Sequence, residues 1–291
     1  MNAIPRIANI VWPYDVEIPV VYKKNIQSWK HINGWKTVIW TRQKLINILQ
    51  AQFPPLLGAL NVQYRHPLQL ANICKYVILY TVGGWVIDPN IECLRTFNPL
   101  LDNSAILFQR KQSGTERYWN MAGGLTTYIT SIMASRREEK MWHQVMAVLT
   151  SDSARQSSNV VDMISETTGD RILTLAMHAS RDTSMVKNVL TLPADHVMPM
   201  SWTSIKVQEV CNGYSCLQLY PNAWAIHHPS VEEGSRWKPG SSGSHWISAV
   251  KARPRLLVTV LLVLFIVVMW KSRQLVWKGV GFVGKRLGGI N

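Results

Sequence analysis

The stretch "VGGWVIDPN" (residues 82–90) carries an apolar run into Asp88, Pro89 and Asn90. A carboxylate and an amide oxygen at the end of a strand are hard donors. Together they can hold a divalent cation, Mn2+ or Mg2+, which acts as a Lewis acid toward a departing anion. Asn90 brings an oxygen but no charge, so it grips a cation less well than a second carboxylate would. Glu92 follows two residues later and shares a face with Asp88 if the chain stays extended. His227 and His228 offer imidazole, another reasonable ligand type. Plain readings stand beside these: Asp, Pro and Asn are turn formers, and a His pair before Pro229 also suits a loop.

Asp88 serves chemistry only if the elements before it form a sheet. "IPRIANIVW", closed by Pro13, reads as a first strand buried on both faces. "PVVYKKNIQSWKHIN" has helical apolar spacing and stops at Asn33-Gly34. "WKTVIWT" is a second strand, "RQKLINILQAQF" a helix ended by Pro54-Pro55, and "HPLQLANICKYVILYTVGG" a long helix capped at Gly83-Gly84. "WVID" is the third strand. This alternation predicts an α/β domain with a mostly parallel sheet, in which ligands sit beyond the carboxyl ends of the strands. Asp88 falls at one such end. Further on, "SAILFQ" predicts a strand, "EEKMWHQVMAVLT" a helix, "SDSARQSSN" a loop, and "VVDMISETTGDRILTLAM" helix on either side of Gly169.

A formal charge of +14 over 291 residues points to an anionic partner. No zinc finger, RNA-recognition signature or interleaved Arg/aromatic block occurs, which argues against nucleic acid. Much of the excess flanks "RPRLLVTVLLVLFIVVMWKSR", with fifteen uncharged residues between Arg255 and Lys271. A helix of that length spans about 22 Å against a hydrocarbon core of about 30 Å. Arg253, Arg255, Lys271 and Arg273 can snorkel, and Trp270 and Trp277 suit the interface. The expected plan is a globular domain over 1–237, a Gly/Ser-rich and basic linker over 238–254, a transmembrane anchor over 255–271 and a basic tail over 272–291. Both flanks are basic, which leaves orientation open. The N-terminus lacks the pattern of a signal peptide. Cys74 and Cys93 read as buried thiols, whereas Cys211 and Cys216 either pair across a turn or stay reduced.

Taken together, "IPRIANIVW", "NIQSWKHINGWKTVIWT", "LANICKYVILYTVGGWVIDPNIECLRTFNPLL", "ETTGDRIL" and "WAIHHPSVEEGSRW" stand in an order and spacing that resembles a known family. It is that of the DXD-motif glycosyltransferases related to yeast α-1,6-mannosyltransferase and the fungal mannosyl-inositol-phosphoceramide synthase subunits, a family-32-like group. The likeness covers roughly residues 4–237. It implies a GT-A-like nucleotide-sugar-binding fold and metal-assisted transfer of a hexose, mannose foremost. The donor would be GDP-mannose or a UDP-hexose, the acceptor a glycan or lipid, and the setting a Golgi/ER-type membrane.

By the same resemblance, Asp88 and Asn90 would serve catalysis and hold Mn2+ (or Mg2+), with His227 at the metal or diphosphate. Asn72 and Lys75 would hold the donor sugar, Gly83 and Gly84 would line the substrate, Trp12 would lie beside the base, and Ser235 and Trp237 would close over the leaving group. The chain departs from the family where Asn90 replaces the second Asp of the motif, Asn72 and Lys75 replace Asp and Arg, and Thr130 replaces Asn. Lys is a point charge and cannot reproduce a bidentate Arg fork. The departures raise an alternative, a weakened or inactive scaffold or regulatory partner on the same fold. Without the family, the two glycines are a helix cap, Lys75 a solvated helix face, and Trp12 and Trp40 core.

Overall fold

The computed structural model describes residues 3–32, 34–62, 66–110, 126–150, 160–180, 189–198, 211 and 214–228. Strand β1 (Ile7–Trp12) is followed by α1 (Val20–Lys30), β2 (Lys36–Thr41), α2 (Arg42–Gln52), α3 (Pro54–Val62) and α4 (Pro67–Thr81). Then come β3 (Gly84–Ile87), β4 (Ile91–Cys93), β5 (Ala105–Phe108), β6 (Ile132–Ser135), α5 (Met141–Thr150), α6 (Val160–Thr167) and α7 (Asp170–Ala179). β7 (Val189–Leu192), α8 (Tyr214–Leu219) and β8 (Ala225–His227) complete the described elements.

The main sheet runs β2-β1-β3-β6-β5-β7. β1 pairs in parallel with β2 and β3, and β5 with β7, whereas β6 is antiparallel to both β3 and β5. The sheet is therefore mostly parallel, as expected, with one strand reversed in its interior. A separate antiparallel ladder joins β4 to β8 and sets Ile91 opposite His227.

Strand alternation divides the core. Val11, Val86, Leu107 and Met133 face a layer built from α2, α4, α5 and α7. Their neighbours Ile10, Trp85, Ile87, Phe108 and Ile132 face the opposite cluster with Trp29, Trp35 and Phe97. Burial on both faces explains why the strands read as continuous apolar runs.

Among the buried polar side chains, one ties three strands together. Fully buried Asn9 donates from Nδ2 to the carbonyls of Gly83 (3.1 Å) and Trp85 (3.0 Å), and its Oδ1 accepts the Trp40 indole N–H at 2.9 Å. It stitches β1 to both neighbours. Asn9→Leu strands all three partners and should lower unfolding free energy by about 2–3 kcal/mol. Urea denaturation reads this directly, and an unchanged midpoint would mean the network contributes nothing.

Gly83 and Gly84 have a backbone role of their own. Both have positive φ, 71° and 86°, and both lie at the amino end of β3, with the strand between them and Asp88. A Cβ on Gly83 would sit 2.8 Å from the Arg137 nitrogen, and one on Gly84 would sit 2.6 Å from the Ile7 carbonyl oxygen. They allow the backbone to turn tightly and to approach β1 and β6 closely.

The Pro54-Pro55 pair ends α2 as expected, and it also opens α3, since proline is tolerated in the first helical turn. Cys211 and Cys216 are joined as a disulfide, while Cys74 is a buried thiol and Cys93 a partly buried one. Among the described residues no helix is long and apolar enough to cross a membrane. The predicted anchor (255–271), linker, tail and "SDSARQSSN" loop lie outside the described residues.

Candidate functional site

The chain turns at Asp88. The Ile91 N–H donates to the Asp88 carbonyl at 3.0 Å, so Asp88-Pro89-Asn90 forms a turn at the carboxyl end of β3. Four further contacts fix it. The Asp88 N–H donates to the Ser131 carbonyl (2.8 Å) and the His228 N–H to that of Asn90 (2.9 Å). Asn25 and Trp29 of α1 donate to the carbonyls of Pro89 and Ile91. The turn reading is right, and the turn sets where the Asp88 and Asn90 side chains stand. It also removes Glu92 from the face of Asp88. Glu92 goes instead to the β4–β8 ladder, where its carboxylate lies 2.8 Å from His228 Nε2.

Around the turn the structure gathers Asn72, Lys75, Asp88, Asn90 and His227. Lys75 is no solvated helix residue: its side chain is 3% exposed, with Nζ 2.5 Å from an Asp88 carboxylate oxygen that is itself 29% exposed. The ammonium also donates to Asn72 Oδ1 at 3.2 Å. Asn72 Nδ2 in turn reaches Thr168 Oγ1 at 3.4 Å, and the Tyr76 hydroxyl donates to the Thr168 carbonyl at 2.8 Å. These contacts hold the α6–α7 junction against α4.

Asn90 and His227 meet across the sheet-to-ladder gap. Asn90 Nδ2 lies 3.1 Å from His227 Nε2. Burial pushes the His227 imidazole down to about 4, against a smaller opposing pull from Asp88, so the ring is neutral at pH 7. A neutral ring that accepts from the Asn90 amide carries its proton on Nδ1. The other end of that amide is the informative atom. Asn90 Oδ1 is buried without a hydrogen-bond partner among the described residues. An orphaned buried acceptor costs about 1–3 kcal/mol and calls for a group to satisfy it.

That donor set fits a hard divalent cation. The Asp88 carboxylate and the unsatisfied amide oxygen of Asn90 are the oxygen donors that Mn2+ and Mg2+ prefer, and the His227 imidazole is a softer donor whose Nε2 faces the Asn90 amide. It is a thin set, with one carboxylate already beside an ammonium. Among the described residues there is no cluster of three His, Cys, Asp or Glu side chains able to hold a metal.

The depressed His227 value has a stability consequence in metal-free protein. Between pH 6.5 and about 4 the unfolded imidazole takes up a proton that the folded one refuses, so stability falls as pH drops through that window. The loss amounts to about 3 kcal/mol when complete. His227→Gln should flatten that acid-side slope in pH-dependent denaturation, and an unaltered slope would place the effect elsewhere.

Trp12 lies at the same edge of the sheet as Asp88, two residues past the Ile10–Ile87 pair. Its ring is largely buried against Tyr14 and Tyr22, and its N–H donates to the Val16 carbonyl at 2.7 Å. Ser235 and Trp237 lie outside the described residues. Sequence reasoning missed Asp170. This carboxylate opens α7 and accepts from both the Thr130 N–H and the Thr130 hydroxyl at 2.8 Å. The signal was an acid directly after Gly169, which reads as an ordinary helix start.

No family model matches the chain. It is 26% identical to inositol phosphoceramide mannosyltransferase 1 of Schizosaccharomyces pombe over 111 residues, 37% of this chain and 34% of that protein. Inositol phosphoceramide mannosyltransferase 3 of the same yeast is 28% identical over 38% of this chain and 31% of that protein. Mannosyl phosphorylinositol ceramide synthase SUR1 of Saccharomyces cerevisiae is 23% identical over 48% of this chain and 36% of that protein. The aligned part thus spans about a third of the length of these relatives. Among solved structures, the PaToxG Glycosyltransferase matches at TM-score 0.46 and 13% identity over 64% of this chain and 74% of that chain, too distant to carry an argument. The curated relatives bear out the resemblance to family-32-like glycosyltransferases.

Proposed function

We propose that this protein is a hexosyltransferase that uses a nucleotide sugar, GDP-mannose first, and delivers the sugar to a glycan or to a lipid headgroup of an endomembrane. The observation that carries the reading is the turn at Asp88. It brings a carboxylate, an unsatisfied buried amide oxygen and a neutral imidazole together beyond the carboxyl end of a central strand. That is where α/β sheets bind ligands. The mannosyltransferase names of the relatives support mannose as the sugar.

In this reading Asp88, Asn90 and His227 hold Mn2+ or Mg2+, which when bound supplies Lewis-acid neutralisation of the diphosphate. The chain's own part is mostly positioning. Lys75 holds the Asp88 carboxylate in place through a close ion pair. The neutral His227 accepts from the Asn90 amide through Nε2 and so positions it, and would release that contact to ligate a cation. Asn72, tied to Lys75 and Thr168, lines the side toward α7. Trp12 contributes the aromatic wall at the neighbouring strand end. The apolar segment over 255–271 would anchor the chain, and its basic flanks would hold the domain at an anionic membrane surface.

A second reading, a non-catalytic scaffold, draws on the same residues. Asn90 adds no charge, and the Lys75 ammonium is already committed to Asp88. The assay that separates them offers labelled GDP-mannose or UDP-hexoses, with Mn2+, to inositol-phosphate lipids in vesicles and to mannan oligosaccharides. Labelled product supports the transferase. Nucleotide binding without product on any acceptor favours the scaffold.

A further inference from the structure

The site holds a second carboxylate that neither the motif nor its departures account for. Asp170 stands in the first turn of α7, directly after the buried Thr168-Gly169 pair that packs on α4. A Cβ on Gly169 would come within 3.3 Å of Asn72 Nδ2, so the chain just before Asp170 runs against the Asn72 side of α4. The Asp170 carboxylate lies close enough to act electrostatically on both His227 and Tyr76. Thr130 grips one of its oxygens with two donors, backbone N–H and hydroxyl, each at 2.8 Å. The next residue, Ser131, accepts the Asp88 N–H. Asp170 is thereby tied through two consecutive residues to the turn that presents Asp88 and Asn90.

Two features point to a ligand beside this carboxylate. Asn90, which meets the same His227 that Asp170 acts on, is only 7% exposed, with Oδ1 unpartnered among the described residues. An ionised carboxylate has about four acceptor positions, of which Thr130 fills two. Asp88 cannot share the work freely, because one of its oxygens is held by Lys75. The ligand chemistry that satisfies a rigid carboxylate beside amide groups is a set of vicinal hydroxyls, as on a hexose ring, because hydroxyls donate to carboxylates in short, charge-assisted hydrogen bonds.

We propose that Asp170 is the residue that recognises the hydroxyls of the transferred sugar, with Thr130 as the positioning residue that aims it. This rests on the nucleotide-sugar reading above and specifies which side chain selects the sugar. It predicts a split between ligands. A group that touches only the sugar matters for the nucleotide sugar and not for the bare nucleotide. A carboxylate that merely tethers α7 to the β6 segment would move both alike or neither.

The test is calorimetry on the full chain with GDP and GDP-mannose, and with UDP and UDP-glucose, each in Mn2+. Asp170→Asn should weaken the nucleotide sugar about 10–100-fold while leaving the nucleotide within about twofold, the range expected for a lost charge-assisted hydrogen bond. Thr130→Val keeps the backbone donor and the fold, and should weaken only the nucleotide sugar, by about 3–10-fold. Asn72→Asp placed in the Asp170→Asn background should restore part of the loss by returning a carboxylate to the same wall. Equal effects on nucleotide and nucleotide sugar in both single variants, or none in either, would overturn the assignment of Asp170 and leave the transferase reading standing. Wild-type protein that binds none of the four ligands would sink the transferase reading itself, and this inference with it.

Discussion

Asp88→Ala should reduce sugar transfer about 10²–10³-fold, the range seen when one group aimed at developing charge is removed. The same substitution should also cost stability, for a separable reason. Lys75 has a side chain only 3% exposed, and its carboxylate partner is Asp88. Removing one member of a buried pair leaves the other charge uncompensated, typically at about 3–5 kcal/mol. Asp88 is 29% exposed, so solvent reaches the pair and the lower end applies. The two effects come apart in the double variant Lys75→Met/Asp88→Ala. With no stranded ammonium, stability should return toward wild type, while transfer stays lost. Urea denaturation and initial rates on the same preparations check both. Wild-type transfer by the single variant would remove Asp88 from the site, and a double variant no more stable than the single one would show that the pair is not what holds this region.

Asn90→Asp is the second large effect, and it runs in the opposite direction. The orphaned Oδ1 becomes part of a carboxylate, so the site gains a full charge where it now has a dipole. Mn2+ affinity should rise about 10–100-fold, as carboxylates replace neutral donors in hard-cation sites. The substitution also removes the amide that now lies 3.1 Å from His227 Nε2. In metal-free protein the carboxylate would then favour a protonated ring, moving His227 up from about 4. Electron paramagnetic titration of Mn2+ reads the affinity, and the histidine ring resonances read the protonation. A raised His227 without tighter Mn2+ would mean that these residues meet but do not hold a cation.

Much of the fold could be read in advance because its strands are buried on both faces and its helices end on strong breakers. The first three strands, α1, α2 and α4 follow from apolar runs, Asn33-Gly34, Pro54-Pro55 and Gly83-Gly84. The short strands that escaped prediction share a cause. β6 is the four-residue "IMAS", and β4 and β8 have three residues each, too short to show a period. Their place is set by long-range pairing, which local pattern does not encode. Gly83 and Gly84 were legible as special backbone positions, but which end of β3 they occupy relative to the chemistry needed the sheet.

The site divides in the same way. Asp88 could be found because a carboxylate at a strand end has a meaning of its own in an α/β sheet. Lys75, three residues from Asn72 on an apolar helix, could not be told from a solvated lysine until its burial and its 2.5 Å contact with Asp88 were seen. Asp170 lies 82 residues beyond Asp88 in sequence and reaches it through the Thr130-Ser131 segment. Only the packing of the Thr167–Gly169 junction against α4 and the grip of Thr130 on Asp170 make that connection. Glu92 shows the converse: the two-residue spacing that suggested a shared face with Asp88 is undone by the turn between them.

In the proposed reading the turn at Asp88 forms a metal-assisted nucleotide site. Calorimetric titration of the full chain with GDP and with UDP, each in Mn2+ and in EDTA, tests it most directly. The account predicts binding of one of the two nucleotides that depends on Mn2+ and is lost in Asp88→Ala. Absence of binding by either nucleotide, with the metal present, would contradict it.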